Sequence, residues 1–311
     1  MADLRVIGKV LLHSRGCCLI HEGAAPLSKG PDNPRKCVAV ALVVAALLLK
    51  AGEASGQSAA IAIGIEASRD RVEYHFDNPS SFDTSNLVPH FFEQRYVADN
   101  IWATLTASYT AGVRWRTLVA VTPNRTSRAD DFDTFFDPDG TVWVSGTTGD
   151  AVMRAFRVEQ RADLGSAGSL RLQTGYSLRW DRAKFLVGHK TVTKNGLPIE
   201  TFAIDTRERT RVWTYQFFAG GSFVKALGSA WTLTAGGDVS PATVARLEIQ
   251  LPDKYPGRDL TFSAAAFGAS GSVEIARGRF AIGVDADRIW RYRSTSAVSR
   301  RSVAVRIAVR I

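Results

Sequence analysis

The sequence has little of several residue types and motifs on which common enzyme classes depend. Its three cysteines are all found within the first 37 of its 311 residues, so the rest of the chain offers no disulfide and no thiolate metal site. No segment carries a long apolar pattern with helical spacing, which excludes a helical bundle. There is no Gly-x-Ser-x-Gly elbow, phosphate-binding loop or paired His/Cys spacing. We therefore predict no cofactor and no metal.

The one long apolar run lies near the N-terminus and is too short to cross a bilayer as a helix. It covers residues 37–49, follows two basic residues, and leads into a small-residue stretch suited to cleavage. This pattern is typical of a secretory signal peptide. We expect residues 1–56 to form a leader and residues 57–311 to form one mature domain. The length of chain before the apolar run fits either an extended leader or a start codon assigned too early.

From residue 60 onward the dominant pattern is alternation of apolar and polar residues. In the segment 169–180, Leu170, Leu172 and Tyr176 share one phase, whereas Arg171 and Arg179 occupy the other. A period of two indicates strands with one apolar face and one polar face. The pattern predicts ten strands, at 60–76, 91–110, 113–123, 150–164, 169–193, 198–226, 230–250, 259–276, 279–293 and 299–311.

The connections between these strands alternate in length. Short turns are predicted at Ala111-Gly112, Gly165 to Gly168, Leu227 to Ser229 and Arg277-Gly278, whereas 77–90 and 124–149 are long. An even strand count with short turns at one end and long loops at the other is the layout of outer-membrane barrels. We predict an all-β fold, a ten-stranded antiparallel up-and-down transmembrane β-barrel in the bacterial outer membrane.

The aromatic residues support this prediction independently. Phe280 lies beside a short turn, and Trp290 lies on the same phase near the other end of that strand. Ten residues of tilted strand span roughly 26 Å, close to the height of the apolar band of such barrels. The opposite phase carries arginines and aspartates, which predicts a narrow, charge-paired interior rather than an open pore. The net charge of +9 forms no stripe that suggests nucleic acid, so the expected partner is outer-membrane lipid.

Two motifs give the chain a resemblance to a known family. An acidic segment after the third predicted strand contains Asp131-Phe132-Asp133, and Gly175-Tyr176 precedes a basic residue in the fifth. Together with ten strands, these motifs resemble the omptins, outer-membrane endopeptidases that bind lipopolysaccharide. The resemblance implies that Asp131 and Asp133 form a catalytic pair facing an Asp–His pair after the seventh strand, with a water between the pairs that attacks the peptide bond. A solvated acidic loop is the alternative interpretation of 124–149.

The second omptin pair has no counterpart in this sequence. The region after the seventh predicted strand contains Asp253 and no histidine, so the base for the water is missing. His75, His90 and His189 are the histidines that follow the predicted leader. Three hypotheses result: a surface binding, adhesion or structural barrel with lost or altered protease chemistry; an active aspartate-dependent endopeptidase; or a small channel or lipid-handling barrel. The expected partners are lipopolysaccharide and a peptide or protein at the extracellular mouth.

Overall fold

The computed structural model describes residues 60–77, 91–136, 139–205, 208–250, 259–291 and 296–311. The predicted leader lies outside these residues. Within them no helix is long and apolar enough to cross a membrane. The strands are β1 (Ala60–Asp77), β2 (Phe91–Ala111), β3 (Val113–Phe136), β4 (Val142–Ala167), β5 (Leu170–Lys194), β6 (Leu197–Asp205), β7 (Arg209–Leu227), β8 (Trp231–Gln250), β9 (Asp259–Arg277), β10 (Phe280–Arg291) and β11 (Ser296–Arg310).

Ten of the strands close into a ring in which each strand is antiparallel to its neighbours. The order is β1-β2-β3-β4-β5-β7-β8-β9-β10-β11, and β11 pairs with β1 from Ala62 opposite Arg310 to Phe76 opposite Ser296. β6 forms a hairpin with the last part of β5 and lies outside the ring. Closure leaves the ring strands without free edges, as a bilayer requires. The predicted ten-stranded antiparallel barrel is confirmed.

The four predicted short turns are also confirmed. Each contains a glycine with a positive φ: Gly112 (74°), Gly168 (60°), Gly228 (72°) and Gly278 (55°). Residues with a Cβ rarely adopt this conformation, so glycine allows the chain to reverse within a few residues. All four turns lie at the end of the barrel where the chain enters at β1 and leaves at β11.

The prediction of a long loop at 124–149 was wrong. β3 and β4 continue through most of this segment and pair as far as Phe136 opposite Val142. The predicted strand 198–226 was also wrong in part, because it divides into β6 and β7. In β3 the alternation is interrupted by a bulge, and the outward residues beyond it include the charged Arg128 and Asp130, so the segment does not look like a strand in sequence.

The strands are much longer than a membrane crossing requires. β3 has 24 residues and β4 has 26, whereas about 9–11 residues cross a bilayer. In the half of the barrel next to the short turns, here called the membrane tier, large apolar side chains point outward and remain exposed. They include Ile63, Ile65, Leu170, Leu172, Phe223, Trp231, Val273, Ile275, Phe280, Ile282, Val284, Val303, Val305 and Ile307. This band forms the apolar belt that lipid would cover.

In the other half, here called the outer tier, the pattern is reversed. On β1 the inward side chains of Val72, Tyr74 and Phe76 are buried, while Arg71 and Glu73 point outward and are exposed. Apolar side chains from the other walls fill the same space, so the outer tier has a conventional hydrophobic core. This core contains Val72, Tyr74, Phe76, Phe92, Tyr96, Phe185, Val212, Leu247, Ile249, Ile289 and Val298. With short turns on the periplasmic side, the outer tier is extracellular.

Candidate functional site

A bulge in β3 decides which way the two aspartates point. Thr122 pairs with Ala155 and Arg125 pairs with Met153, so β3 contains one residue more than β4 between these pairs. Pro123 lies in the bulge, where its missing N–H does not interrupt the ladder. An extra residue moves the following side chains to the opposite face. Without it, Asp131 and Asp133 would point outward like the residues of the apolar belt.

Both aspartates are inside the outer tier. Asp131 lies opposite Gln94 on β2 and Thr147 on β4, and its exposed fraction is 1%. Asp133 is one layer farther from the membrane, opposite Phe92, and is 2% exposed. The structure therefore brings the two carboxylates to one inner wall, near the extracellular end.

A polar network that the sequence did not reveal crosses the barrel in the layer of Asp131. The Gln94 side-chain amide donates to Glu208 Oε1 (2.5 Å), and its oxygen accepts from the hydroxyls of Tyr96 (2.7 Å) and Thr210 (2.9 Å). Gln94 and Tyr96 belong to β2, whereas Thr210 belongs to β7 on the far side of the ring. A third buried carboxylate, Glu208, thus joins the interior that holds Asp131 and Asp133. Its position just before β7 depends on the break between β6 and β7, which the alternation did not predict.

Aromatic rings occupy the lumen beside Asp133. Phe76 of β1 stacks on Phe262 of β9 with ring centroids 4.4 Å apart. Phe92 of β2 lies parallel to Phe262 at 6.4 Å. These rings come from walls several strands apart in the ring order, so they meet inside the barrel. Packed aromatic side chains therefore lie next to Asp133 inside the outer tier.

Neither of the two described histidines shares the inner face with the aspartates. His75 is next to the inward residues of β1 and stacks on Phe91, with centroids 6.0 Å apart. His189 is exposed and pairs with Thr148, whose neighbour Thr147 is the residue buried inside. Since neighbouring residues of a strand face opposite ways, both imidazoles are on the outer face. His90 and Asp253 lie outside the described residues.

Asp139 of the acidic segment lies in the turn between β3 and β4. The backbone N–H of Thr141 donates to the Asp139 carboxylate (2.8 Å), and this hydrogen bond lowers the pKa of that carboxyl below its usual value. Gly140 has a φ of 85°, a conformation that suits a turn. Over the described strands and turns, no group of three His, Cys, Asp or Glu side chains is arranged to hold a metal ion.

Ion pairs fill the interior of the membrane tier, as predicted. Arg179 of β5 is 2.7 Å from Asp70 of β1 and 2.8 Å from Asp181, and its guanidinium stacks on Trp102 at 5.2 Å. Arg157 of β4 bonds to Glu66 of β1 at 2.8 Å. These contacts run between distant strands of the ring, so side chains bridge the lumen from wall to wall.

The other inward ion pairs involve arginines of β4 and β11. Arg161 pairs with Glu159 and, at 2.5 Å, with Asp238 of β8. Arg300 pairs with Asp287 at 2.8 Å and also reaches Gln216 of β7 at 3.3 Å. Arg306 pairs with Glu274 at 3.1 Å. Asp238, Asp287 and Arg306 therefore point inward, in agreement with the predicted charge-paired interior.

Comparison with known proteins supports the same fold. No protein-family model and no curated protein sequence matches the chain. Among solved structures, the outer membrane protease OmpT from Escherichia coli matches with a TM-score of 0.56 and 9% identity over 81% of this chain and 95% of OmpT. The β domain of the Bordetella autotransporter BrkA matches with a TM-score of 0.39 and 10% identity over 81% and 99%. Ail of Yersinia pestis matches with a TM-score of 0.32 and 10% identity over 81% and 98%.

The OmpT match confirms the resemblance to omptins at the level of the fold. Identity of 9% carries no information on activity. Ring closure, the outward apolar belt and this match agree with one another. The chain is therefore an outer-membrane β-barrel with an OmpT-like fold.

Proposed function

We propose that this barrel is a surface binding, adhesion or structural protein that has lost or altered protease chemistry. The observation that carries the proposal is the burial of Asp131 and Asp133, which are 1% and 2% exposed. A hydrolytic site needs room for a water and a peptide beside its carboxylates. Here the same space holds Phe92 and the Gln94 network.

The described histidines support the same conclusion. In the omptin mechanism an imidazole activates the water, and His75 and His189 both point away from the interior. A carboxylate pair without a nearby base would be a poor catalyst for peptide hydrolysis. Binding through the exposed outer surface needs no such base.

A channel or lipid-handling function is less well supported. In the membrane tier the lumen is bridged by Arg179, Arg157 and Arg161, each bonded to a carboxylate from a different strand. Opening a path for solutes would break several buried ion pairs at once, at a cost of about 3–5 kcal/mol for each partner left alone. A filled lumen favours a protein that acts through its surface.

One observation keeps an aspartate-dependent endopeptidase as the second candidate. Asp131 and Asp133 face inward near the extracellular end, on the inner wall where the omptin resemblance expects catalytic carboxylates. A rearrangement of the aromatic rings beside Asp133 would be needed to admit substrate. A peptide or protein at the mouth remains the proposed partner under either candidate.

Incubation with basic peptides separates the two candidates. We expect the full chain, refolded in detergent with lipopolysaccharide, to leave Arg- and Lys-rich peptides intact over many hours, because the carboxylates are enclosed and no described imidazole faces them. Mass spectrometry of the peptides gives the readout, and OmpT under the same conditions is the positive control. Cleavage that disappears in Asp131→Ala and Asp133→Ala, but persists in the exposed control Asp99→Ala, would establish the endopeptidase instead.

A further inference from the structure

Four arginines line the lumen at the end of the barrel next to the short turns. They are Arg114 and Arg116 of β3, Arg171 of β5 and Arg310 of β11. The two arginines of β3 share the phase of the buried Leu118, and Arg310 shares that of the buried Ala304. Arg171 precedes Leu172, which points outward in the apolar belt. Since side chains two residues apart on a strand face the same way, all four arginines point inward.

These four arginines differ from the inward arginines deeper in the barrel. Arg157, Arg161 and Arg306 each pair with a carboxylate. None of the four forms an ion pair within the part of the chain that the structure describes, and all of them are exposed or half-exposed. Water therefore enters this end of the lumen. Unpaired charges of one sign around a narrow opening produce a strong local potential, which attracts ions of the opposite sign.

The carboxylates at this end do not neutralise the four arginines. Glu159 and Asp238 both bond to Arg161. Asp163 of β4 lies opposite Arg114 in the register, is half-exposed, and is not within ion-pair distance of that arginine. Positive charge is therefore in excess over the uncommitted carboxylate of this layer.

The layer of Arg161 closes the lumen on the side away from the short turns. The guanidinium of Arg161 lies over the ring of Phe218 at 4.5 Å, and its side chain is 13% exposed. The like charges of Arg161 and of Arg306 on β11 both act on Arg116. The four arginines, here called the vestibule arginines, thus surround a blind recess that opens to the periplasm.

We propose that the vestibule arginines form a binding site for a periplasmic oxyanion, a carboxylate or a phosphate group. The inference goes beyond the proposed surface function and relies on the inward direction of these side chains. Guanidinium groups bind such oxygens through paired, charge-assisted hydrogen bonds, which gain strength where protein walls reduce the local dielectric constant. A bound anion would also relieve the repulsion among the arginines. A free anion and the end of an anionic chain present the same oxygens, so both fit the site.

Calorimetric titration of the full chain, refolded in zwitterionic detergent at low salt, tests the site. We expect citrate and inorganic phosphate to bind saturably, and Arg116→Gln/Arg171→Gln to weaken both by about tenfold or more. The control Lys225→Gln/Arg277→Gln removes two positive charges from the outer face at the same end, where Arg277 stacks on Trp231. It should weaken binding by less than about threefold. Equal losses in the two double variants, or no saturable binding by the wild type, would overturn the proposal.

Asp163 provides a test with the opposite sign. Its carboxylate lies in the layer of the vestibule arginines and repels an incoming anion, so Asp163→Asn should strengthen the binding of citrate and phosphate by about threefold. A variant that only disturbed the fold would weaken binding instead. Unchanged or weaker binding in Asp163→Asn would show that the anion binds elsewhere on the protein.

A glutamate-rich peptide distinguishes the two sources of the anion. Binding of the peptide about tenfold or more tighter than citrate would assign the site to the end of an anionic chain, whereas equal or weaker binding would assign it to a free anion. In both cases Arg116→Gln/Arg171→Gln must reduce the affinity, and a peptide that binds this variant as well as the wild type contradicts the site. The cleavage assay with basic peptides monitors the opposite end of the barrel, so either proposal can fail without the other.

Discussion

Replacing Arg179 with glutamine is expected to destabilise the barrel by about 3–5 kcal/mol, the largest effect of any single substitution considered. Arg179 is buried between Asp70 and Asp181 and stacks on Trp102. Glutamine would leave two buried carboxylates without the guanidinium that pairs with both of them. Urea titration of the refolded barrel, followed by the gel shift between folded and unfolded forms, measures the free energy of unfolding.

An exposed ion pair provides the matched control for Arg179. Arg69 and Asp99 are 3.7 Å apart with side chains that are 62% and 73% exposed. Solvent screens such a pair, so Arg69→Gln should cost less than about 1 kcal/mol. Combining Arg179→Met with Asp70→Asn and Asp181→Asn should recover most of the lost stability, since none of these three residues then carries a charge. If Arg179→Gln lowered the free energy of unfolding by no more than Arg69→Gln, the lumen would be more hydrated than its packing indicates.

Placing a charge on the apolar belt should have the next largest effect. Val305 points outward on β11, is 46% exposed, and lies opposite Ala67 and Val284. Val305→Arg is expected to destabilise the folded barrel in phospholipid vesicles by about 2–4 kcal/mol. This is the range for a basic residue on the lipid face of a barrel near the bilayer midplane. Reversible refolding in urea with vesicles present measures this change.

Ser299 provides a control for Val305→Arg, because it lies outside the apolar belt. It points outward on the same strand but in the outer tier, opposite Glu73. An arginine there would be in water beside a carboxylate, so Ser299→Arg should change stability by less than about 0.5 kcal/mol. Equal costs at residues 299 and 305 would mean that lipid does not discriminate between the two tiers.

Alternation predicted the membrane tier well because apolar side chains face outward and polar side chains face the lumen along all of its strands. Leu170, Leu172 and Tyr176 face lipid and Arg179 faces the lumen, so the two faces differ in polarity at almost every residue. The short turns were equally predictable, since Gly112 and Gly278 adopt a conformation that disfavours residues with a Cβ. The number of strands in the ring and their antiparallel order followed from these two signals, whereas β6 did not.

The outer tier could not be predicted in the same way because its apolar side chains point inward and its charged side chains point outward, the reverse of the membrane tier. Around Arg128 and Asp130 the outward residues are charged, and the inward residues include both Ala129 and Asp131. The bulge at Pro123 also shifts the phase, so a single alternation does not run along β3. The acidic residues therefore suggested a loop, although two of them are buried.

The candidate site depends on contacts that are remote in sequence. Gln94 meets Glu208 only because β2 and β7 face each other across a closed ring. Nothing local to either residue signals that meeting. Asp131 and Asp133 were found through a family resemblance, whereas their burial and the outward direction of His189 required the structure.

The outward direction of the apolar side chains can be measured directly with spin labels. The cysteines of the chain are Cys17, Cys18 and Cys37, so in a background with all three replaced by serine, Ile307→Cys and Ala308→Cys each provide a single attachment site. Ile307 points outward and is 56% exposed, whereas Ala308 points inward. In phospholipid vesicles, the label at residue 307 should relax strongly with oxygen dissolved in the bilayer and weakly with a water-soluble nickel chelate. The label at residue 308 should respond little to oxygen. A label at 307 shielded from oxygen, with the label at 308 open to it, would contradict the membrane barrel.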